Sequence, residues 1–142
     1  MKSLTVAAPA GSLTGSVRNG VLRIHSVPYA VADPFGPSRP APAADHDGRT
    51  PGEGELILTV TAPVDALADG SRTADPLADA SSTDEPLADG APAANRPILL
   101  WIHGGRYEEG HPSEPWCSPR RFAEAGIVTV ALGYRKKLEG FW

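Results

Sequence analysis

Arg96-Pro97-Ile98-Leu99-Leu100-Trp101-Ile102-His103-Gly104-Gly105 is the stretch on which the reading of this 142-residue chain turns. From Pro97 to Ile102 the run is continuously apolar, the pattern of a strand buried on both faces. His103-Gly104-Gly105 ends the run, and a polar loop follows. Ser118-Pro119 then predicts a helix start, with serine as N-cap and proline at the first position. The helix continues through Arg120-Arg121-Phe122-Ala123-Glu124-Ala125, and Gly126 stops it. Ile127-Val128-Thr129-Val130-Ala131-Leu132 reads as a second buried strand. Strand, loop, short helix, strand is a parallel βαβ unit. Most of the core-forming capacity is expected in this last part, residues 97–142.

Working outward, the N-terminal part carries different signals. Ser12–Val17 and Val21–Val27 flank Arg18-Asn19-Gly20, and Asn-Gly between apolar-rich runs predicts a hairpin. Residues 28–51 hold six prolines and few apolar groups, which predicts an extended surface loop. Leu56-Ile57-Leu58-Thr59-Val60-Thr61 reads as a strand ended by Pro63. Between the two halves, Asp65-Ala66-Leu67-Ala68-Asp69-Gly70 recurs at ten-residue intervals from Asp75 and from Glu85. Each unit offers one leucine (Leu67, Leu77, Leu87), too little apolar surface to offset the ordering entropy. Residues 63–96 therefore read as an acidic, disordered linker or insertion. It divides an N-terminal hairpin, Pro-rich loop and first strand (1–62) from the strand–loop–helix–strand unit (97–142).

Thirteen basic and 17 acidic residues give a net charge of -4. The acidity is local: residues 63–94 carry -6, with Arg72 as their only basic group, while 1–62 are neutral. An acidic balance argues against a general nucleic-acid binder. Cys117 is the only cysteine, which excludes an internal disulfide framework and a multi-cysteine zinc site. Met1–Pro9 is too weak for a secretory signal, and no apolar run approaches the roughly 20 residues of a membrane span. A soluble, cytoplasmic protein with no membrane partner is expected.

The chemistry centres on His103-Gly104-Gly105-Arg106-Tyr107. In open α/β sheets, binding sites gather beyond the carboxyl ends of parallel strands. Paired glycines there can expose backbone N–H groups, the donors that a developing oxyanion needs. The same pair also fits a tight turn that needs only flexibility. Elsewhere, His25, His46, His103 and His111 share no metal-ligand spacing, so no metal and no cofactor are expected. Asp45-His46-Asp47 reads as a solvated loop segment. Cys117 reads as a residue at the helix start, with a reactive thiol as the alternative. Arg120-Arg121 and Arg135-Lys136-Lys137 read as solvated basic patches.

The stretch from Arg96 to Gly105 resembles the oxyanion-loop strand of type-B carboxylesterases, the cholinesterase-like branch of the α/β-hydrolases. Their pattern is Pro-Val, two hydrophobic residues, then Trp-Ile-His-Gly-Gly-Gly-Phe. The likeness continues at Ser113-Glu114-Pro115-Trp116, at Phe122–Gly126, and through Ile127–Leu132 and Tyr134-Arg135 to Leu138-Glu139-Gly140-Phe141. Val27-Pro28-Tyr29-Ala30, Pro34–Arg39 and Leu56–Pro63 are similar to the family's N-terminal segments. The resemblance implies an incomplete α/β-hydrolase fold: the N-terminal hairpin, the first strands of the central sheet and one short helix. It implies a serine hydrolase of carboxylic esters, in which Gly104, Gly105 and Arg106 form the oxyanion loop and His103 supports it. By position, the N–H donors are those of Gly105 and Arg106.

Departures from the pattern set further expectations. There is no Gly-x-Ser-x-Gly; Gly36-Pro37-Ser38-Arg39-Pro40 lacks the second glycine and follows no buried strand. The nucleophile, acid and catalytic histidine are absent, so the chain is expected to be an N-terminal piece that is inactive alone. A second polypeptide would have to complete it before an ester could be cleaved. The alternatives are a non-catalytic binding or regulatory fragment and a truncated gene product. Arg106 stands where the family has glycine, and if φ is positive there it costs ~1 kcal/mol or more. Glu55 occupies the position of a family disulfide cysteine, and Gly133 that of an asparagine. A marginal, association-prone fold is expected for the isolated chain, with strand edges and one sheet face uncovered.

Overall fold

The computed structural model describes residues 2–67, 96–115 and 119–141. The decapeptide repeats beyond Leu67 and the readings placed on Leu77, Leu87, Trp116, Cys117 and Ser118 lie outside the described residues.

Lys2–Ala8 (β1), Gly11–Arg18 (β2) and Val21–Pro28 (β3) form an antiparallel meander. Asn19 and Gly20 join β2 to β3 with φ of 51° and 75°, the two positive values that a type I′ hairpin turn requires. Three short pairing segments follow: Ala30–Val31 (β4) with Arg39–Pro40 (β5), and His46–Asp47 (β6) alongside β2. The Pro-rich region is thus largely irregular, as its composition predicts, but pinned at these points. Ile57–Pro63 (β7) runs antiparallel to β3 and leads into a 3-10 turn, Val64–Leu67. After the acidic segment come Ile98–Ile102 (β8), Arg120–Glu124 (α1), Val128–Leu132 (β9) and Lys137–Phe141 (α2).

Among the described residues the main sheet has the order β1-β2-β3-β7-β9-β8, with β6 beside β2. The pair β8–β9 is parallel, with Ile98 opposite Val128 and Ile102 opposite Leu132. The βαβ reading therefore holds. Gly126 ends the helix as expected, at φ 85°. The Gly126 N–H donates to the Ala123 carbonyl and the Ile127 N–H to the Phe122 carbonyl, the two bonds of a Schellman cap. Among the described residues no helix is long and apolar enough to cross a membrane.

The expected location of the core is corrected. Among the described residues the buried apolar side chains are Val21, Leu22 and Ile24 of β3, Ile57 and Ala62 of β7, Ala123 of α1 and Ala131 of β9. Most come from the N-terminal half. Strand β8, read as covered on both faces, is exposed: Ile98 is 71% and Ile102 60% accessible, and Leu100 and Trp101 are also open. The physical reason is position. β8 is the edge of the sheet, with β9 as its one strand neighbour, and α1 packs chiefly on β7, β9 and β3. An apolar run gives a strand, but burial requires elements on either side of it.

Three smaller differences follow. The helix starts at Arg120 with Pro119 as its cap and no side-chain capping bond. Among the described residues two short α-helices stand where one was expected, because α2 forms at Lys137–Phe141. Lys2–Ala8, tested in the sequence only as a leader, is an edge strand whose Leu4, Val6 and Ala8 alternate inward.

Candidate functional site

The register of β8 with β9 puts two loops at one end of the parallel pair. His103 follows Ile102, and Gly133-Tyr134 follows Leu132, its cross-strand partner. These loops lock together. The His103 ring is buried and stacks on Tyr134, with centroids 4.5 Å apart and planes 16° apart. The Tyr134 hydroxyl donates to the His103 carbonyl at 2.8 Å. His103 Nδ1–H donates to the Gly104 carbonyl at 2.8 Å. The imidazole is thus committed to holding backbone, in agreement with its supporting role in the resemblance.

Past Gly104 the chain takes three consecutive positive φ values: 128° at Gly105, 56° at Arg106 and 62° at Tyr107. The Glu108 and Glu109 N–H groups close the turn by donating to the Gly105 carbonyl at 3.0 and 3.1 Å. A Cβ at Gly105 would collide with the Glu109 carbonyl oxygen, so only glycine fits there. Arg106 does occupy the left-handed region, and at about 1–2 kcal/mol this is strain at a named residue. Among the described residues no acceptor meets the N–H of Gly105 or of Arg106. The turn therefore leaves two adjacent backbone donors without an acceptor among the described residues.

The far side of the loop is tied to the segment after β9. The Lys137 N–H donates to the Tyr107 carbonyl at 2.6 Å, and Lys136 Nζ donates to the Gly110 carbonyl at 2.7 Å. Lys136 also faces Glu55 at 3.8 Å. Glu55 thus serves an ion pair at the position where the resembled family has a disulfide cysteine. Lys136, read as part of a solvated patch, is mostly buried and structural.

Beyond Gly110, the loop is anchored to the sheet by a polar cluster that sequence reasoning missed. Ser113 Oγ lies 2.8 Å from His25 Nδ1 and 2.7 Å from Thr59 Oγ1. The Ser113 N–H donates to His111 Nδ1 at 3.1 Å. His46 Nε2–H donates to the His25 carbonyl at 2.7 Å, and the Ser12 N–H donates to Asp45 at 2.8 Å. Asp47 is held by Arg49 at 2.6 Å, which draws its carboxyl down to about 2. Asp45 and Asp47 are exposed, as the solvated-loop reading expects, and the segment is in addition tied down by the His46 and Asp45 hydrogen bonds. The contacts of Ser113 with His25 and Thr59, of His46 with His25 and of Ser12 with Asp45 join residues far apart in sequence, and only the seryl and histidyl types hint at them.

A serine bonded to a histidine invites a catalytic reading, but His25 is a poor base. Burial, then the charges of Arg23 and His111, hold its pKa at about 4. A general base works best with a pKa near the operating pH. The cluster is a latch. His25 is 7% exposed and its folded pKa lies below the ordinary 6.5. The unfolded chain therefore binds a proton that the folded chain refuses. The stability that comes with burying His25 neutral is complete above pH ~6.5 and falls away as pH drops toward 4, by about 3 kcal/mol in all. Urea midpoints at pH 7.5 and 4.5 should show this loss. His25→Asn, which keeps a hydrogen-bonding group but does not titrate, should flatten the dependence. An unchanged slope in that variant would refute the assignment to His25.

The sheet order and the parallel β8–β9 pair fit the α/β-hydrolase fold. Comparisons with known proteins agree. No family model matches the chain. It is 30% identical to the para-nitrobenzyl esterase of Bacillus subtilis, over 92% of this chain and 27% of that protein. It is 27% identical to a probable N-octanoylanthranilate hydrolase of Rhodococcus erythropolis, over 96% of this chain and 31% of that protein. The carboxylesterase EST55 of Geobacillus stearothermophilus superposes with a TM-score of 0.68 at 26% identity, covering 94% of this chain and 26% of that one. Juvenile hormone esterase from Manduca sexta shares the fold, with a TM-score of 0.70 at 16% identity, over 98% of this chain and 28% of that one. The chain belongs with the type-B carboxylesterases, and it spans 27–31% of the length of the two curated relatives.

Proposed function

We propose that this chain forms the oxyanion-loop portion of a carboxylic-ester hydrolase that works through a serine nucleophile. The Gly105 and Arg106 N–H groups would receive the negative charge that develops on the ester carbonyl oxygen. Gly104 would give the bend room, and His103 with Tyr134 would hold it. The nucleophile, acid and histidine would come from residues outside these 142, in a longer chain or a second polypeptide. The observation that carries this reading is the turn itself: three positive φ values after a parallel strand, with two adjacent N–H groups unclaimed among the described residues. Preorganised donors of this kind stabilise a tetrahedral intermediate without reorganising during the reaction. The strained Arg106 fits the reading, because strain collects where a backbone conformation is needed for function.

Two measurements test it. The purified chain should not turn over p-nitrophenyl butyrate above the buffer rate, since donors without a nucleophile cannot complete acyl transfer. Hydrolysis by the pure chain, lost on treatment with a serine-directed phosphonate, would overturn the external nucleophile. Grafted in place of the matching 27% of the B. subtilis para-nitrobenzyl esterase, the chain should support ester hydrolysis. A folded graft that binds the phosphonate but turns over no ester would refute the oxyanion role.

A further inference from the structure

The leg of the loop from Gly110 to Glu114 is docked on the sheet through Ser113, and one bond of that docking depends on the protonation of a histidine. His111 Nδ1 accepts from the Ser113 N–H at 3.1 Å, so that nitrogen carries no proton and the neutral ring has its hydrogen on Nε2. His111 Nε2 and Glu114 Oε2 are both buried and meet no hydrogen-bond partner among the described residues. Buried polar atoms are nearly always satisfied, so two orphans of opposite character three residues apart mark an arrangement with an alternative.

A second proton on His111 would set an Nδ1–H against the Ser113 N–H, donor against donor, and that bond would have to break. The surroundings of the docked ring resist the proton. Burial, then the charge of Lys136 beyond β9, hold the pKa of His111 below the ordinary 6.5; the Gly52 carbonyl and Glu114 work the other way, and His103 adds to the resistance. A ring turned out toward water and Glu114 escapes the burial and gains a carboxylate partner. The docked form therefore binds the proton less tightly than the lifted one. Docking is fully supported above pH ~6.5 and weakens as pH falls below that value. Ser113 grips the sheet at His25 and Thr59, and His25 faces Arg23 and His111, with His46 on its carbonyl. A charge on His111 would thus meet further positive charge across the docking contact. Backbone strain acts in the same direction, since Arg106 and Tyr107 just upstream sit at φ 56° and 62° and could relax once the leg lifts.

We propose that the Gly110–Glu114 leg is an acid-operated catch: when His111 takes a second proton it gives up the Ser113 N–H and turns to Glu114, and Ser113 lets go of His25 and Thr59 while the sheet stays folded. The catch is read on the chain itself and does not rest on the hydrolase reading; where the Gly105 and Arg106 N–H groups serve an ester, the same step would take them out of aim. Hydrogen exchange of the 142-residue chain, followed residue by residue by NMR and corrected for its intrinsic pH dependence, tests it. The Ser113 N–H should lose protection between pH 7.5 and 5, by up to about tenfold for each unit below 6.5, while the β3–β7 ladder keeps its own. His25, held at about 4, stays largely neutral over this range, which isolates His111. His111→Asn keeps an acceptor near the place of Nδ1 but does not titrate, so its Ser113 protection should not change with pH. Glu114→Gln should weaken the acid response and covers the case in which His111→Asn fails to fold. Constant protection of Ser113 in the parent, a loss shared equally by the β3–β7 ladder, or a parent-like response in folded His111→Asn or, failing that, in Glu114→Gln, would overturn the proposal.

Discussion

Gly105→Ala in the grafted esterase is expected to lower kcat by about a thousandfold while moving KM little. The residue sits at φ 128°, a region that side chains rarely adopt, and an added Cβ would strike the Glu109 carbonyl. That carbonyl belongs to backbone, which cannot rotate aside as a side chain can. The turn would have to open, breaking the bonds from the Glu108 and Glu109 N–H groups to the Gly105 carbonyl. Both proposed donors would then lose their aim together. Loss of one such donor costs about 10²–10³ in kcat, which places the loss of two at the upper end or beyond. Arg106→Gly supplies the contrast. It keeps the N–H and relieves about 1–2 kcal/mol of left-handed strain, so activity should be retained and stability should rise. A Gly105→Ala graft within tenfold of its parent would exclude the loop from the chemistry.

What could be read in the sequence, and what could not, divides along the reach of each interaction. Asn19-Gly20 was legible because a type I′ turn is decided by its own two residues. Gly126 was legible because the Schellman cap lies within six residues of chain. The parallel pairing of β8 and β9 was legible from two apolar runs about a helix. The conformation at Gly105, Arg106 and Tyr107 was only partly so. Two glycines announce a bend, but arginine and tyrosine at positive φ contradict local preference and are imposed by the Lys136, Lys137 and Tyr134 contacts. The Ser113 latch was not legible at all. His25 and Thr59 stand 88 and 54 residues from Ser113, and nothing local signals that they meet. The core was misplaced for a related reason. Hydrophobicity records what a strand can bury, whereas burial depends on which neighbours the sheet order supplies. Trp101 and Ile102 have the composition of a central strand at the place of an edge.

Leu22→Ala is expected to cost about 3 kcal/mol, the second largest effect, and it tests that relocation of the core. Leu22 is 1% exposed, among the largest fully buried side chains of the described residues. It sits over Gly15 of the neighbouring strand, where a Cβ would run into both Leu22 and Ile24. The backbone of β2 thus approaches closely because the leucine fills the space that a side chain at Gly15 would take. Truncating Leu22 leaves a cavity that Gly15 has no atoms to fill, so relaxation recovers little. The other buried apolar side chains are few and several are alanines, and a small domain's net stability is only about 5–15 kcal/mol. Leu100→Ala in β8 should cost under about 1 kcal/mol, since its side chain is already 56% exposed. Urea midpoints of the two variants compare the halves of the chain directly. If Leu100→Ala proved the costlier, the stabilising core would lie with β8 after all, and the burial assigned to β3 would be wrong.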